Sequence, residues 1–232
     1  MTEQRITSRK NPLLQQVKKL LSSRKAREEA GLFAADGVKL LAEAVRWYPG
    51  LDTVILSDGV HADVPESVRL FRVPEDVMAS ISPMESPQGA LFLCRLPERK
   101  AYVPQPGCLL LDGIQDPGNL GTILRTADAA GFDGAIFGPG CADLYGAKTL
   151  RATMGSVFRV PVMTTENLPE TLEAMKREGY AVAATELGGE DFYAHCPRGR
   201  AILVIGSEGQ GLTDETIAAC NSTVRIPMTD RV

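Results

Sequence analysis

The chain contains no run approaching the ~20 uninterrupted apolar residues of a membrane helix, and its polar N-terminus has no signal-peptide core. Both absences argue against a membrane-spanning or exported protein and point to the cytoplasm. Paired cysteines are missing too. The five cysteines (Cys94, Cys108, Cys141, Cys196, Cys220) are scattered, with no C-x-x-C, which argues for reduced thiols and against zinc. His195 and Cys196 are adjacent, but no third ligand or base stands near them in sequence, so no metal is expected. The Gly-Lys-Ser/Thr of a phosphate-binding loop is absent. So is G-x-G-x-x-G, which removes a nucleotide-dependent oxidoreductase on a doubly wound sheet. There is no internal repeat and no low-complexity stretch.

What remains is ordinary globular material, 232 residues with 44% hydrophobic and 23% charged side chains, enough for two modest domains or one large one. The net charge of −4 hides a division: residues 1–100 carry 15 Lys+Arg against 13 Asp+Glu, and residues 101–232 carry 10 against 16. Eight cations fall within the first 27 residues (Arg5, Arg9, Lys10, Lys18, Lys19, Arg24, Lys25, Arg27), against the single acid Glu3. Such a local excess is the footprint that phosphate contacts require, although a solvated helix face would carry the same charges.

Residues 11–29 read as one amphipathic helix, with Leu13, Leu14, Val17, Leu20 and Leu21 on its apolar stripe and Gly31 closing it. Short strands at 32–35, 54–56, 69–73 and 90–94 alternate with helices over 37–47 and from about 74, which describes a small α/β domain over 1–98. The proline-rich residues 99–106 form a linker. From 107 onward, apolar runs at 109–111, 134–137, 159–162, 180–184 and 202–205, with another starting near 223, suit parallel strands covered on both faces.

The richest stretch follows the first of these runs: Asp112-Gly-Ile-Gln-Asp-Pro-Gly-Asn119-Leu-Gly-Thr-Ile-Leu-Arg125-Thr-Ala-Asp128. Leu120, Ile123, Leu124 and Ala127 form a buried helical stripe and leave Arg125 on the opposite face, with Asp128 as a potential partner. Asn119, at the start of this helix, has the chemistry to fix the loop and Arg125, by capping or by a side-chain hydrogen bond. Further on, Gly206-Ser-Glu208-Gly-Gln-Gly211 forms a glycine-rich strand-to-helix turn of the kind that presents backbone N–H groups to a nucleotide-like ligand.

Together, Asn119-x-Gly121-x-x-x-Arg125, Ile202-Leu-Val-Ile-Gly206-Ser-Glu208-Gly-Gln-Gly211-Leu and Arg225-Ile226-Pro227-Met228 resemble the three motifs of the SpoU family of RNA 2′-O-ribose methyltransferases. The stretch Ile6-x-Ser8, Asn11-Pro12, Lys18-Lys19-Leu20, Arg24, Arg27, Gly31-x-Phe33-x-x-x-Gly37 is similar to the substrate-binding domain that precedes the catalytic domain in many members; Asp36 stands where Glu is usual.

The resemblance implies an α/β protein with a trefoil-knotted parallel-sheet methyltransferase domain over 107–232 and a small substrate-binding α/β domain before it. It makes Arg125, Asn119 and Glu208 the catalytic set. S-adenosylmethionine would lie against Thr185, Leu187, Gly206, Glu208, Gly211, Ile226 and Met228. It further implies RNA, ribosomal in the first instance, and a homodimer. Transfer RNA as substrate, or a non-catalytic assembly factor that kept the fold, stay open as alternatives. The third motif normally continues into Ser-Leu-Asn-Val-Ser and a long helix; this sequence stops at residues 229–232, so the natural chain is expected to continue.

Overall fold

The structure, a computed structural model, describes residues 3–97, 107–195 and 199–229. The expected linker at 99–106, together with Cys196 and residues 230–232, lies outside the described residues. In chain order the elements are β1 (Gln4–Arg5), α1 (Pro12–Ser22), α2 (Arg24–Ala30), β2 (Leu32–Asp36), α3 (Val38–Trp47), β3 (Leu51–Ser57), β4 (Arg69–Val73), α4 (Glu75–Ile81) and β5 (Ala90–Arg95). There follow β6 (Cys108–Leu111), α5 (Pro117–Ala129), β7 (Gly134–Phe137), α6 (Ala147–Thr153), β8 (Val162–Thr164), α7 (Leu168–Arg177), β9 (Ala181–Asp191), α8 (Phe192–His195), β10 (Ala201–Ile205), α9 (Asp214–Ala218) and β11 (Ser222–Arg225). None of the described helices is long and apolar enough to cross a membrane.

These elements form two compact units, Met1–Arg99 with Asp143–Arg159, and Lys100–Ala142 with Val160–Val232. The first is built on a mixed sheet in the order β1-β4-β3-β5-β2, in which β5 runs antiparallel to both neighbours. One face buries Leu14, Val17 and Leu20 of α1 and Val77, Met78 and Ile81 of α4 against Ala34, Ile55, Leu91 and Leu93. On the alternate strand positions sit Phe33 and Phe92, whose rings meet Tyr145 (4.6 Å between centroids) and Phe158 (6.4 Å). The excursion 143–159 is therefore part of this unit's aromatic core, an addition to the domain boundary read from the sequence.

A single helix over 11–29 does not form. The backbone becomes extended at Ser23 (φ −129°, ψ 115°), whose hydroxyl accepts from the Ala26 N–H at 3.2 Å and caps a second helix. The apolar period runs through the break, so periodicity alone could not see it.

The second unit has six strands, all parallel, in the order β11-β9-β10-β6-β7-β8. Its core packs Leu168, Leu172 and Met175 of α7 against Cys108, Leu110, Ile136, Val182, Ile202 and Val204. Near-continuous apolar strands make sense here because parallel strands are covered on both faces. The strand expected at 159–162 begins instead at Val162, because Val157 and Phe158 are buried in the first unit. From β6 the chain lays down β7 and β8 on one side; β10, β9 and β11 lie on the other. The boundary between β6 and β10 is the switch point at which open α/β sheets bind ligands beyond their carboxyl ends.

Candidate active site

Two loops leave that switch point, one after β6 and one after β10. The first turns through Asp116, whose side chain accepts the Asn119 N–H at 2.9 Å, with Pro117 at the first helical position. Asp116, not Asn119, is thus the cap of α5, so of the two ways in which Asn119 was expected to fix the loop, capping falls away and a side-chain hydrogen bond is left. Lying inside the first turn, the Asn119 side chain is free to reach out. Its Nδ2 donates to Glu208 Oε1 at 2.5 Å, joining two residues 89 apart in sequence.

Arg125 lies one and a half turns further along α5. It is exposed and makes no hydrogen bond or ion pair among the described residues, including with Asp128. A guanidinium keeps its charge at any physiological pH, so an unpaired one on the helix that leaves the switch point is a ready anion partner.

Behind Glu208 the loop is held from below. Ser207 and Gly211 exchange backbone hydrogen bonds at 3.2 and 2.9 Å, and Ser207 Oγ accepts from the Gln210 N–H. Gly206 is required by close approach, since a Cβ there would lie 2.4 Å from the Gly211 carbonyl carbon. Gly211 sits at φ +67°. Asp112, at the end of β6, accepts from Thr216 Oγ1 at 3.2 Å and ties α9 to this loop; burial raises its carboxyl pKa against the opposing Thr216 and Thr213 hydrogen bonds.

The two strands beyond β10 complete the rim. Thr223 pairs with Ala184 and Val224 with Glu190, so residues 185–189 of β9 loop out between consecutive partners. Thr185 Oγ1 donates to the Val204 carbonyl at 2.9 Å and staples β9 to β10. Leu187 projects from the loop 84% exposed, and Ile226 and Met228, after β11, are 61% and 58% exposed. Sequence reasoning missed Gly189, where a Cβ would sit 2.6 Å from the Val224 nitrogen. The signal was present as the Gly188-Gly189 pair, but it lay beyond the strand expected at 180–184, whereas β9 continues to Asp191.

The eight N-terminal cations divide unevenly. Arg27 is a correction: its side chain is 6% exposed, donates to the Leu20 carbonyl at 2.5 Å and pairs with Asp143, so it is structural and cannot meet a phosphate. Arg5 pairs with Asp58, Arg9 with Asp76, Arg24 with Glu28 and Lys25 with Glu29, all at the surface. Lys10, Lys18 and Lys19 are exposed and unpartnered among the described residues. Asp36, the departure noted in the sequence, is buried and accepts from Ser82 Oγ at 2.5 Å; burial raises its pKa.

Residues 107–232 match the SpoU rRNA Methylase family model, and residues 11–91 match the MRM3-like substrate binding domain. The chain is 34% identical over 227 residues (96% of this chain, 90% of the relative) to the 23S rRNA (guanosine(2553)-2′-O)-methyltransferase RlmP of Bacillus subtilis. The AdoMet-bound rRNA methyltransferase of Sinorhizobium meliloti superposes with a TM-score of 0.83 at 30% identity, covering 99% of this chain and 90% of that one. For the SpoU methyltransferase AviRb of Streptomyces viridochromogenes in complex with AdoMet, the TM-score is 0.81 at 26% identity, covering 96% and 91%. With its parallel sheet, its switch-point loops and its preceding substrate-binding domain, this chain belongs to the SpoU rRNA methylase family.

Proposed function

We propose that the protein transfers a methyl group from S-adenosylmethionine to the 2′-oxygen of a ribose in RNA, ribosomal RNA in the first instance. The observation that carries the proposal is the Asn119–Glu208 hydrogen bond across the β6/β10 switch point, with the unpaired Arg125 on the same helix as Asn119.

The rim fits the cofactor. Gly206 and Gly189 are places where backbone meets backbone with no room for a Cβ, so the loop after β10 closes on Gly211 and the looped-out part of β9 closes on β11. Leu187, Ile226 and Met228 offer the exposed apolar surface that an adenine ring and the methylene groups of the cofactor need. We assign cofactor binding to these residues, to Thr185 and to the Gly206–Gly211 loop. Bound there, the cofactor supplies a methyl group made electrophilic by its sulfonium.

The remaining work falls to the chain's own side chains. A guanidinium already holds its proton and cannot accept another, so the role of Arg125 is electrostatic: it holds a substrate phosphate and stabilises negative charge developing on the acceptor oxygen. Asn119 and Glu208 fix the two loops against each other and hold the acceptor side in register.

RNA is held first by Lys10, Lys18 and Lys19. Arg5, Arg9, Arg24 and Lys25 join by trading surface carboxylates for phosphates, an exchange that costs little because exposed ion pairs are worth about 0–1 kcal/mol. The reading includes a substrate-binding domain over 1–98, a linker at 99–106 and a catalytic domain over 107–232. It also includes a cytoplasmic location, a knotted chain path and a homodimer. The exposed Leu187, Tyr193, Ile226 and Met228 support self-association.

Incubating the protein with methyl-labelled S-adenosylmethionine and ribosomal RNA from cells lacking it tests the proposal. Label should appear in a 2′-O-methylated nucleoside. Label confined to a base, or no transfer to any RNA, would overturn it.

A further inference from the structure

Outside the proposed catalytic crevice, the first unit carries an aromatic side chain that its core does not use. Trp47, the only tryptophan in the chain, ends α3 and is 45% exposed. Two cations address its ring. The Arg46 guanidinium carbon lies 4.8 Å from the ring centroid, and that of Arg159 lies 6.0 Å away. Arg159 is also committed to Glu43 of the same helix. Arg46 is exposed and has no carboxylate partner among the described residues. Beside the indole is a cavity of about 300 Å³ lined by Arg46, Trp47, Pro49, Leu51, Pro65 and Val68.

We infer that Trp47 and Arg46 form a stacking subsite for an unpaired base of the RNA substrate. A planar indole with an uncompensated guanidinium over its ring presents a stacked cation–aromatic pair of the kind on which splayed-out RNA bases stack, and the free positive charge favours a polyanion over an apolar partner. The cavity next to the ring, walled by prolines and aliphatic side chains, gives the base a place to lie. The subsite rests on the reading that this chain acts on RNA. It adds to that reading a preference for a substrate with a single-stranded loop or bulge.

Because Trp47 is the sole tryptophan, fluorescence excited at the red edge, where the five tyrosines do not absorb, reports this position alone. The chain is titrated with a short fluorescein-labelled single-stranded RNA and with the same sequence as a duplex, and binding is followed in parallel by anisotropy. Saturable quenching of Trp47 by the single strand, and much less by the duplex, is the expected result. Trp47→Ala should weaken single-strand binding roughly tenfold and Trp47→Phe by less, with the thermal transition unchanged. Binding seen by anisotropy without any change in tryptophan fluorescence overturns the subsite and leaves the RNA reading standing. If the wild-type chain binds neither RNA and methylates none, both fall together.

Discussion

The cations of α1 and α2 and the single cation of α5 look alike in sequence and behave differently in the fold. In the first unit Arg24 and Lys25 meet carboxylates one helical turn away, and Arg27 is buried against Asp143. In the second, Arg125 protrudes with no partner among the described residues, one and a half turns from the Asn119–Glu208 bond. A count of charges therefore overstates what an RNA can meet. Charge is available only where the fold has left it unpaired, and an unpaired cation beside a crevice says more about chemistry than a matched cluster does.

The contrast breaks most sharply at Arg27. Arg27→Ala should cost about 3–5 kcal/mol of stability in chemical denaturation, because it leaves Asp143 half-buried without its counter-charge. Asp143→Asn should cost less, and the double variant less than the sum of the two. An Arg27→Ala chain with wild-type stability and weakened RNA binding would return this residue to the phosphate-binding set.

A smaller effect separates two glycines of one loop. Gly206→Ala should destabilise by about 1–3 kcal/mol and lose affinity for S-adenosylmethionine, since its methyl group meets the Gly211 and Leu212 backbone. Gly209→Ala meets nothing within 4 Å and should stay within about 0.5 kcal/mol of wild type. Calorimetric titration of cofactor into both variants decides it. Equal behaviour would show that the loop's close approach does not shape the pocket.

How much of this could be read beforehand depends on the range of the interaction. Strand and helix order, the parallel sheet and the glycine turn at 206–211 were legible because each is a local pattern. The cap of α5 was misplaced because Asp116 and Asn119 are both good caps within one turn, and only Pro117 tips the choice to Asp116. The break at Ser23 hid inside an unbroken apolar period. The looped-out 185–189 segment was missed because the apolar run ends at 184, and the pairing of Glu190 and Asp191 with β11 has no local signal. Arg27 could not be assigned at all, because its partner lies 116 residues away. The Asn119–Glu208 bond spans 89 residues; there the family resemblance named the residues but not the contact.

The division of labour between the two sets of cations is tested most directly by measuring RNA affinity against salt, and single-turnover methylation at saturating RNA, for two variants side by side. Arg125→Ala should lose roughly 10²–10³-fold in rate while its salt slope changes by at most about one contact. The combined Lys10→Gln, Lys18→Gln, Lys19→Gln variant should show a salt slope shallower by about 2–3 and keep its rate. A wild-type rate from Arg125→Ala, or an unchanged salt slope in the lysine variant, would contradict the account.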